Sequence, residues 1–292
     1  MCDTSAAGVE ALCAFLVRYP ELFVLTGAGV STASGIPDYR DASGAWKRPP
    51  PVSHQAFMAS RAVRQRYWAR SLVGFRALAT ARPGEAHRAL AALEAGGGIS
   101  QLVTQNVDGL HQRAGSRRVI DLHGQADLVV CMHCGATLMR HALHDALARR
   151  NPRWLDLPAA VAPDGDADLE GVDFTDFVLP DCQRCGIGIL KPDVVFFGDN
   201  VPKARVQAAF DALERAPAML VVGSSLMVYS GYRFARHAAR LGKPIACLNL
   251  GRTRADALYA LKVSAPIGPT LVAATAAMRL PAAALSGESA GP

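Results

Sequence analysis

The sequence predicts an α/β fold in which a doubly wound, parallel sheet is interrupted by an inserted smaller lobe. Short, uniformly apolar segments recur along the chain, and each of them ends in small or polar residues. Such segments are typical of parallel strands that helices cover on both faces. Helical patterns between the segments, and two cysteine pairs that break the alternation, complete the prediction.

Four apolar segments supply the predicted strands. They occupy residues 21–29, 99–109, 218–225 and 243–251. Helical patterns lie between them at residues 86–95 and 203–215. Ligands of doubly wound sheets bind at the carboxyl ends of the strands, and there this chain has glycine-rich or polar sequence. We therefore predict a Rossmann-like nucleotide-binding domain built from residues 1–40, 83–130 and 186–280.

Residues 131–185 form a predicted zinc-binding module. Two Cys-x-x-Cys pairs bracket it, Cys131 with Cys134 and Cys182 with Cys185. This spacing favours one tetrahedral Zn²⁺ over a redox dithiol or buried thiols. Four thiolates leave no open position for water, so the zinc is predicted to be structural. Residues 41–82, which are helical and rich in arginine, are assigned to the same lobe, and residues 281–292 to a disordered tail.

Composition limits the class of protein. Of the 292 residues, 50% are hydrophobic and 19% charged, as in ordinary globular proteins. The formal net charge of +6 is spread along the chain, and no aromatic and basic cluster accompanies the cysteine pairs, so we expect no specific nucleic-acid site. No membrane-length apolar run or secretion signal is recognisable. We expect a cytoplasmic protein, with a monomer as the favoured state, and the abundance of Ala, Arg and Gly is typical of a bacterial source.

The stretch VLTGAGVSTASGIPDYR, at residues 24–40, carries the first functional signal. An apolar strand runs into Gly27 and Gly29, which allow a backbone turn to approach a diphosphate. Thr32 replaces the third glycine of a dehydrogenase fingerprint, and no acid follows about 20 residues later. A dehydrogenase is therefore disfavoured, and the turn is followed instead by an acid, an aromatic ring and an arginine.

Further motifs follow in a fixed order. They are TQNVDGLH (104–111), LHG (122–124), the cysteine pairs, KPDVVFFGD (191–199), GSSLMV (223–228) and NLG (249–251). With the first motif, they resemble the sirtuins, which are NAD-dependent protein-lysine deacylases. The wording at 64–70 (RQRYWAR) and 228–234 (VYSGYRF) is most similar to the class II branch, which contains a mitochondrial lipoamidase and ADP-ribosyltransferase.

The resemblance implies a binding site for NAD as co-substrate. Asp38 would bind the nicotinamide carboxamide, Tyr39 would cover the reacting ribose face, and Arg40 would hold the diphosphate. The residues assigned to NAD are Gly27, Ala28, Gly29, Ser31, Ile36, Pro37, Asp38, Tyr39, Arg40, Gln105, Asn106, Val107, Asp108, Gly223, Ser224, Ser225, Asn249, Leu250, Gly251 and Ile267.

The resemblance also implies the catalytic and substrate residues. His123 would act as general base on a ribose hydroxyl, since imidazole titrates near neutral pH, and Asn106 would order a water. An acyl-lysine protein substrate would bind as an added strand along Val194, Val195, Phe196, Phe197 and Gly198. Tyr67 and Arg70 have the Tyr-x-x-Arg spacing that binds an acidic acyl group in desuccinylating sirtuins.

The sequence thus indicates an NAD-dependent protein-lysine deacylase that yields nicotinamide, free lysine and O-acyl-ADP-ribose. Acidic or longer acyl groups are possible substrates. A protein mono-ADP-ribosyltransferase shares every NAD residue and differs only in the acceptor. A non-catalytic NAD sensor is the third candidate, although a sensor needs no base at position 123.

Overall fold

The computed structural model describes residues 6–41, 43–47, 51–155, 157, 167, 169 and 171–278. Within them the strands are β1 (Leu22–Thr26), β2 (Ile99–Thr104), β3 (Val119–Asp121), β4 (Gly124–Cys131), β5 (Thr137–Met139), β6 (Leu190–Val194), β7 (Met219–Val222), β8 (Ile245–Leu248) and β9 (Leu261–Val263). The α-helices are α1 (Ala6–Arg18), α2 (His54–Ala59), α3 (Arg61–Thr80), α4 (Glu85–Ala95), α5 (Leu110–Arg113), α6 (Arg140–Arg150), α7 (Lys203–Arg215), α8 (Tyr229–Arg240) and α9 (Ile267–Ala277).

Six parallel strands form the large sheet in the order β3-β2-β1-β7-β8-β9. From β1 the chain adds β2 and β3 on one side of that strand. It later returns to the middle of the sheet and adds β7, β8 and β9 on the other side of β1. The strand order therefore reverses between β1 and β7, and a crevice opens at their carboxyl ends. This arrangement confirms the predicted doubly wound α/β domain.

Both faces of the large sheet are buried, which explains why its strands are uniformly apolar. Val24 and Leu220 pack on one face with side chains of α1, α4 and α9. Phe23, Leu25 and Val221 face the other side, where α7 and α8 cover them. Successive side chains of a strand point to opposite faces, so a strand between two helical layers has no polar face.

A second sheet of three antiparallel strands, in the order β5-β4-β6, belongs to the smaller lobe. Its core includes Phe57 of α2, Trp68 of α3, Leu143 of α6 and Val129 of β4. This lobe extends beyond the cysteine module, because β4 begins before Cys131 and β6 follows Cys185. The proposed domain limits stay a prediction.

The four predicted strands are confirmed as β1, β2, β7 and β8. Two features differ from the expected pattern. The turn after β1 forms two three-residue 3-10 helices, Ala28–Val30 and Thr32–Ser34, and no long helix follows at once. The edge strands β3 and β9 have three residues each and are too short for a periodic signal. No helix within the described residues is long and apolar enough to cross a membrane, and the tail at 281–292 lies outside them.

Candidate active site

One cavity of about 500 Å³ collects most of the predicted site residues. Residues from the carboxyl ends of β1, β2, β7 and β8 form one part of its wall, and the smaller lobe forms the rest. Of the residues assigned to NAD, all except Gly251 and Ile267 line this cavity. His123, Tyr67 and the segment 194–198 line it as well, whereas Arg70 does not.

Close backbone contact between β1 and β7 shapes the floor of the cavity. The Gly29 amide donates to the Gly223 carbonyl at 2.9 Å. Gly223 has φ +61°, and a Cβ there would lie 2.7 Å from the Val30 nitrogen and 2.9 Å from Ile267 Cδ1. Only glycine fits this backbone and this space. Ile267, which the resemblance had assigned to NAD, packs behind the glycine turn and does not line the cavity.

A hydrogen-bonded network fixes the predicted TQNVD loop below the glycine turn. Ser31 Oγ donates to Asp108 Oδ2 at 2.7 Å, and Asp108 Oδ1 accepts from the Leu110 amide at 2.9 Å. Asn106 Nδ2 donates to Ser31 Oγ at 3.0 Å and to the Gly27 carbonyl at 3.1 Å. Ser31 and Asp108 are buried, and through these two bonds the Asp108 carboxylate holds the loop in place.

Two buried histidines adjoin this network. The His87 and His111 rings lie 4.9 Å apart, and His111 Nε2 is 2.9 Å from Thr26 Oγ1. Burial lowers the pKa of His87 to about 4, although the nearby Asp108 carboxylate raises it. Burial also lowers the pKa of His111 to about 3. Both rings are therefore neutral at pH 7 and pack as polar core residues.

His123 lies between β3 and β4, one residue beyond Leu122, and forms part of the cavity wall. Its Nδ1 is 2.9 Å from the Gln105 carbonyl oxygen, and its Nε2 is 2.7 Å from Ser230 Oγ. Burial lowers the pKa of His123 to about 4, and the positive charges of Arg233 and Arg205 act in the same direction, while the hydrogen bond to Gln105 opposes them. At pH 7 the ring is neutral, as a general base must be.

The segment with Asp38, Tyr39 and Arg40 packs against Trp46, a residue that the sequence did not single out. The Arg40 guanidinium lies 3.9 Å from the Trp46 ring centroid, and Arg40 Nη1 donates to the Gly44 carbonyl at 2.7 Å. Tyr39 meets the same indole edge-on at 6.3 Å. The Asp38 carboxylate binds Lys47 Nζ at 2.5 Å. Trp46 lies outside the motifs recognised in the sequence, so only the fold reveals this contact.

The predicted substrate segment joins the two lobes. The Val195 amide donates to the His123 carbonyl at 2.8 Å, and the His54 amide donates to the Phe197 carbonyl at 2.9 Å. Lys191, which is buried, lies with its Nζ 4.6 Å from the Phe196 ring centroid and donates to the Val194 carbonyl. The segment is therefore held to the histidine on one side and to α2 on the other.

The end of the cavity beside Tyr67 contains a cation that the sequence did not predict. Arg140, the first residue of α6, lines the cavity and is only 4% exposed. Its guanidinium lies 5.0 Å from the Trp68 ring, and its Nη2 donates to Ser71 Oγ at 2.9 Å. Arg70 points elsewhere, since its Nε donates to the Ala167 carbonyl at 2.8 Å.

The four predicted metal ligands form one cluster. The thiol sulfurs of Cys131, Cys134, Cys182 and Cys185 all lie within 4.8 Å of one another. The Cys131–Cys185 and Cys134–Cys182 sulfur separations are 3.7 and 3.8 Å. A tetrahedron with Zn–S bonds of about 2.3 Å has sulfur atoms about 3.8 Å apart. A Cβ at Gly188 would overlap Cys131 Sγ, so this glycine leaves room for the cluster, which fits a structural zinc ion.

Comparisons with known proteins agree with this geometry. The Sir2 family model matches residues 27–230. A protein from Bordetella bronchiseptica, named NAD-dependent protein deacetylase, is 60% identical over 92% of this chain and 98% of its own length. A protein of the same name from Xanthomonas campestris is 62% identical over 87% of this chain and 86% of its own.

Solved structures show the same likeness. A Sir2 complex with a p53 peptide and NAD+ matches with a TM-score of 0.76 and 28% identity, over 94% of this chain and 99% of the other. A Sir2 structure with a propionylated peptide matches with a TM-score of 0.72 and 27% identity, over the same shares of the two chains. The family match, the identities to bacterial relatives and the shared fold together establish that this chain belongs to the Sir2 family, the sirtuins.

Proposed function

We propose that this protein is an NAD-dependent protein-lysine deacetylase and, more broadly, a deacylase that forms nicotinamide, free lysine and O-acyl-ADP-ribose. The observation that carries the proposal is the position of His123. The neutral imidazole of His123 lines the same cavity as the NAD motifs. The backbone carbonyl of His123 accepts a hydrogen bond from Val195 in the predicted substrate segment. The bacterial relatives that share about 60% of its residues carry the name of this activity.

The chain's own groups divide the work of the reaction. The glycine turn leaves room for a diphosphate against the backbone, and Arg40 supplies positive charge beside it. Tyr39 and Trp46 form an aromatic wall that excludes water from the ribose. NAD, when bound there, would supply a ribose carbon that exchanges its bond to nicotinamide for one to the acyl oxygen. His123 then accepts the proton of a ribose hydroxyl, and that hydroxyl oxygen attacks the acyl carbon.

The substrate enters, in this proposal, as an extended peptide beside residues 194–198. Main-chain hydrogen bonds hold such an added strand without demanding a particular sequence. The cavity end beside Tyr67 would receive the acyl group. Buried Arg140 lies at that end and would favour an acyl chain with a terminal carboxylate, because guanidinium groups bind carboxylates well. We therefore assign the acyl-facing cation to Arg140 in place of Arg70.

The class II assignment is part of the same proposal. Its support is the wording of residues 64–70 and 228–234, and the second of these segments contributes Ser230 and Arg233 to the cavity wall. Protein mono-ADP-ribosyl transfer is the alternative activity for the same NAD site. The two activities differ in where the ADP-ribose goes, so a labelled co-substrate separates them.

The test uses a panel of acyl-lysine peptides with NAD+ labelled in its adenosine. Mass spectrometry follows the label in the wild type and in His123→Ala. The proposal expects the label in O-acyl-ADP-ribose and expects turnover to vanish in the variant. Label that stays on protein, with no deacylated peptide, would establish the transferase instead.

A further inference from the structure

The Ser230 hydroxyl is hydrogen-bonded to Nε2 of His123, the nitrogen that would accept a proton if His123 acts as a base. The Gln105 carbonyl oxygen, 2.9 Å from Nδ1, can only accept a hydrogen bond. The neutral ring therefore carries its proton on Nδ1, and Nε2 holds the free lone pair. Ser230 Oγ, 2.7 Å from Nε2, must then donate its own proton to that lone pair.

Several contacts hold this arrangement in place. Gln105 Nε2 donates to Ser224 Oγ at 2.7 Å and to the Thr26 carbonyl at 3.2 Å. These two bonds fix the Gln105 side chain and thereby the loop whose carbonyl accepts from His123. A Cβ at Gly231 would lie 2.5 Å from Gln105 Oε1. The first turn of α8 therefore packs directly on the Gln105 side chain. His123, Gln105 and Ser230 form one unit across two loops and a helix.

Ser230 is also accessible to a substrate. It lines the cavity, and the residue keeps a relative exposure of 9%. A hydroxyl group that donates its proton still has two lone pairs with which to accept another hydrogen bond. The Ser230 oxygen can thus accept from a ribose hydroxyl while it donates to His123, and the three groups would form a continuous chain.

We propose that Ser230 is a proton relay between the ribose hydroxyl and His123. The inference rests on the proposed deacylase function. The ribose O–H bond breaks and its proton joins Ser230 Oγ, while the original Ser230 proton passes to His123 Nε2. The ring becomes an imidazolium and the serine ends as a neutral hydroxyl. The electron pair left on the ribose oxygen forms the new bond to the acyl carbon, while the π electrons between that carbon and the lysine nitrogen move onto the nitrogen.

Two partial reactions distinguish the relay from a structural role. Exchange of labelled nicotinamide into NAD+, in the presence of acetyl-lysine peptide, reports on cleavage of the nicotinamide bond before the proton transfer. Single-turnover formation of O-acetyl-ADP-ribose reports on the later step. We expect Ser230→Ala to slow the later step about 100-fold, as is usual for the loss of acid–base assistance, and to slow exchange much less. Ser230→Thr keeps a hydroxyl group and is expected to restore most of the later step.

A proton inventory adds a readout that a packing role does not change. The single-turnover rate is measured in mixtures of H₂O and D₂O. Two protons that move together give a curved dependence on the deuterium fraction in the wild type. With the serine hydroxyl removed, one proton moves and the dependence becomes linear in Ser230→Ala.

Four results would overturn the relay. They are unchanged or faster turnover in Ser230→Ala, a linear inventory in the wild type, equal losses of exchange and turnover in Ser230→Ala, and no recovery in Ser230→Thr. Failure of the proposed function has a different signature, because the wild type would then show neither exchange nor O-acetyl-ADP-ribose with any acyl peptide.

Discussion

The backbone carbonyl of His123 accepts a hydrogen bond from the Val195 amide at 2.8 Å. This bond joins the residue just before β4 to the residue just after β6, although the two lie in different parts of the sequence. Since Val195 belongs to the proposed substrate segment, the proposed base and the proposed peptide site share one backbone connection. A shift of β6 away from β4 would therefore displace both at once.

Gly124→Ala tests this connection. Gly124 follows His123, has φ +86°, and a Cβ there would overlap the Asp193 carbonyl oxygen on β6. The strand must move away, so we expect a loss of stability of about 1–3 kcal/mol and a loss of deacylation larger than unfolding explains. Thermal unfolding and turnover are measured on the same samples.

Gly242→Ala is the matched control for this variant. Gly242 also has positive φ, at +67°, but a Cβ there meets no atom within 4 Å. Gly242→Ala therefore has the free-energy cost of placing alanine in a left-handed backbone conformation, but no steric overlap with a neighbouring strand. Equal losses of turnover in the two variants would show that the connection between β4 and β6 does not matter for activity.

Acid is expected to destabilise the fold through buried histidines. The pKa values of His87, His111 and His123 fall to about 4, 3 and 4 in the folded protein, against about 6.5 in an unfolded chain. Above pH 6.5 these rings are neutral in both states, so the full stability is present. As the pH falls from 6.5 toward 4, these histidines bind protons in the unfolded chain but not in the native state. Each ring then lowers the free energy of unfolding by up to about 1.4 kcal/mol per pH unit.

Urea unfolding at a series of pH values from 7 to 4.5 measures this slope. In His111→Gln, which loses one buried ring, the slope is expected to be shallower although the variant is less stable at pH 7. His141→Gln changes an exposed ring on α6 and is expected to retain the wild-type slope. A His111→Gln slope equal to that of the wild type would contradict the assignment.

Removal of the metal is expected to unfold the smaller lobe. Cys131 and Cys182 belong to the core of that lobe together with Trp68 and Leu143, so loss of the ion removes a cross-link from that core. Cys182→Ser is expected to abolish zinc binding and to lower Tm by roughly 10 °C. Zinc content by atomic absorption and a thermal melt provide the measurement.

Cys13→Ser provides the comparison for the zinc variant. Cys13 lies on α1, outside the cluster, and is partly buried. It should retain one zinc per chain and a Tm near that of the wild type. A protein that binds no zinc in either form, or a Cys182→Ser variant with normal Tm, would refute the structural role of the metal.

Sequence reasoning singled out the motifs assigned to NAD, most of which line one cavity, and the four clustered cysteines, because each lies in a pattern of several residues. It gave the strands β1, β2, β7 and β8, since burial on both faces leaves a plain apolar signature. It missed Ser230, which meets His123 across 107 positions of the sequence, because a lone serine in a helix has no pattern. Arg140 was missed for the same reason, while the Tyr-x-x-Arg spacing drew attention to Arg70, whose side chain turns to the Ala167 carbonyl.

The choice of acyl group depends, in our proposal, on Arg140. This buried guanidinium lines the cavity near Tyr67, whereas Arg70 does not line it. Arg140→Gln removes the charge and is expected to lower kcat/KM for a succinyl-lysine peptide, relative to an acetyl-lysine peptide, by about 10–100-fold. A hydrogen bond to a charged group is worth about 1.5–3 kcal/mol, which corresponds to that range. Arg70→Gln is the matched control and is expected to leave the ratio unchanged. Because the ratio compares two substrates on one variant, partial unfolding affects both and does not change the ratio. A ratio that changes only in Arg70→Gln would contradict the proposal and favour Tyr67 and Arg70, the pair suggested by the sequence.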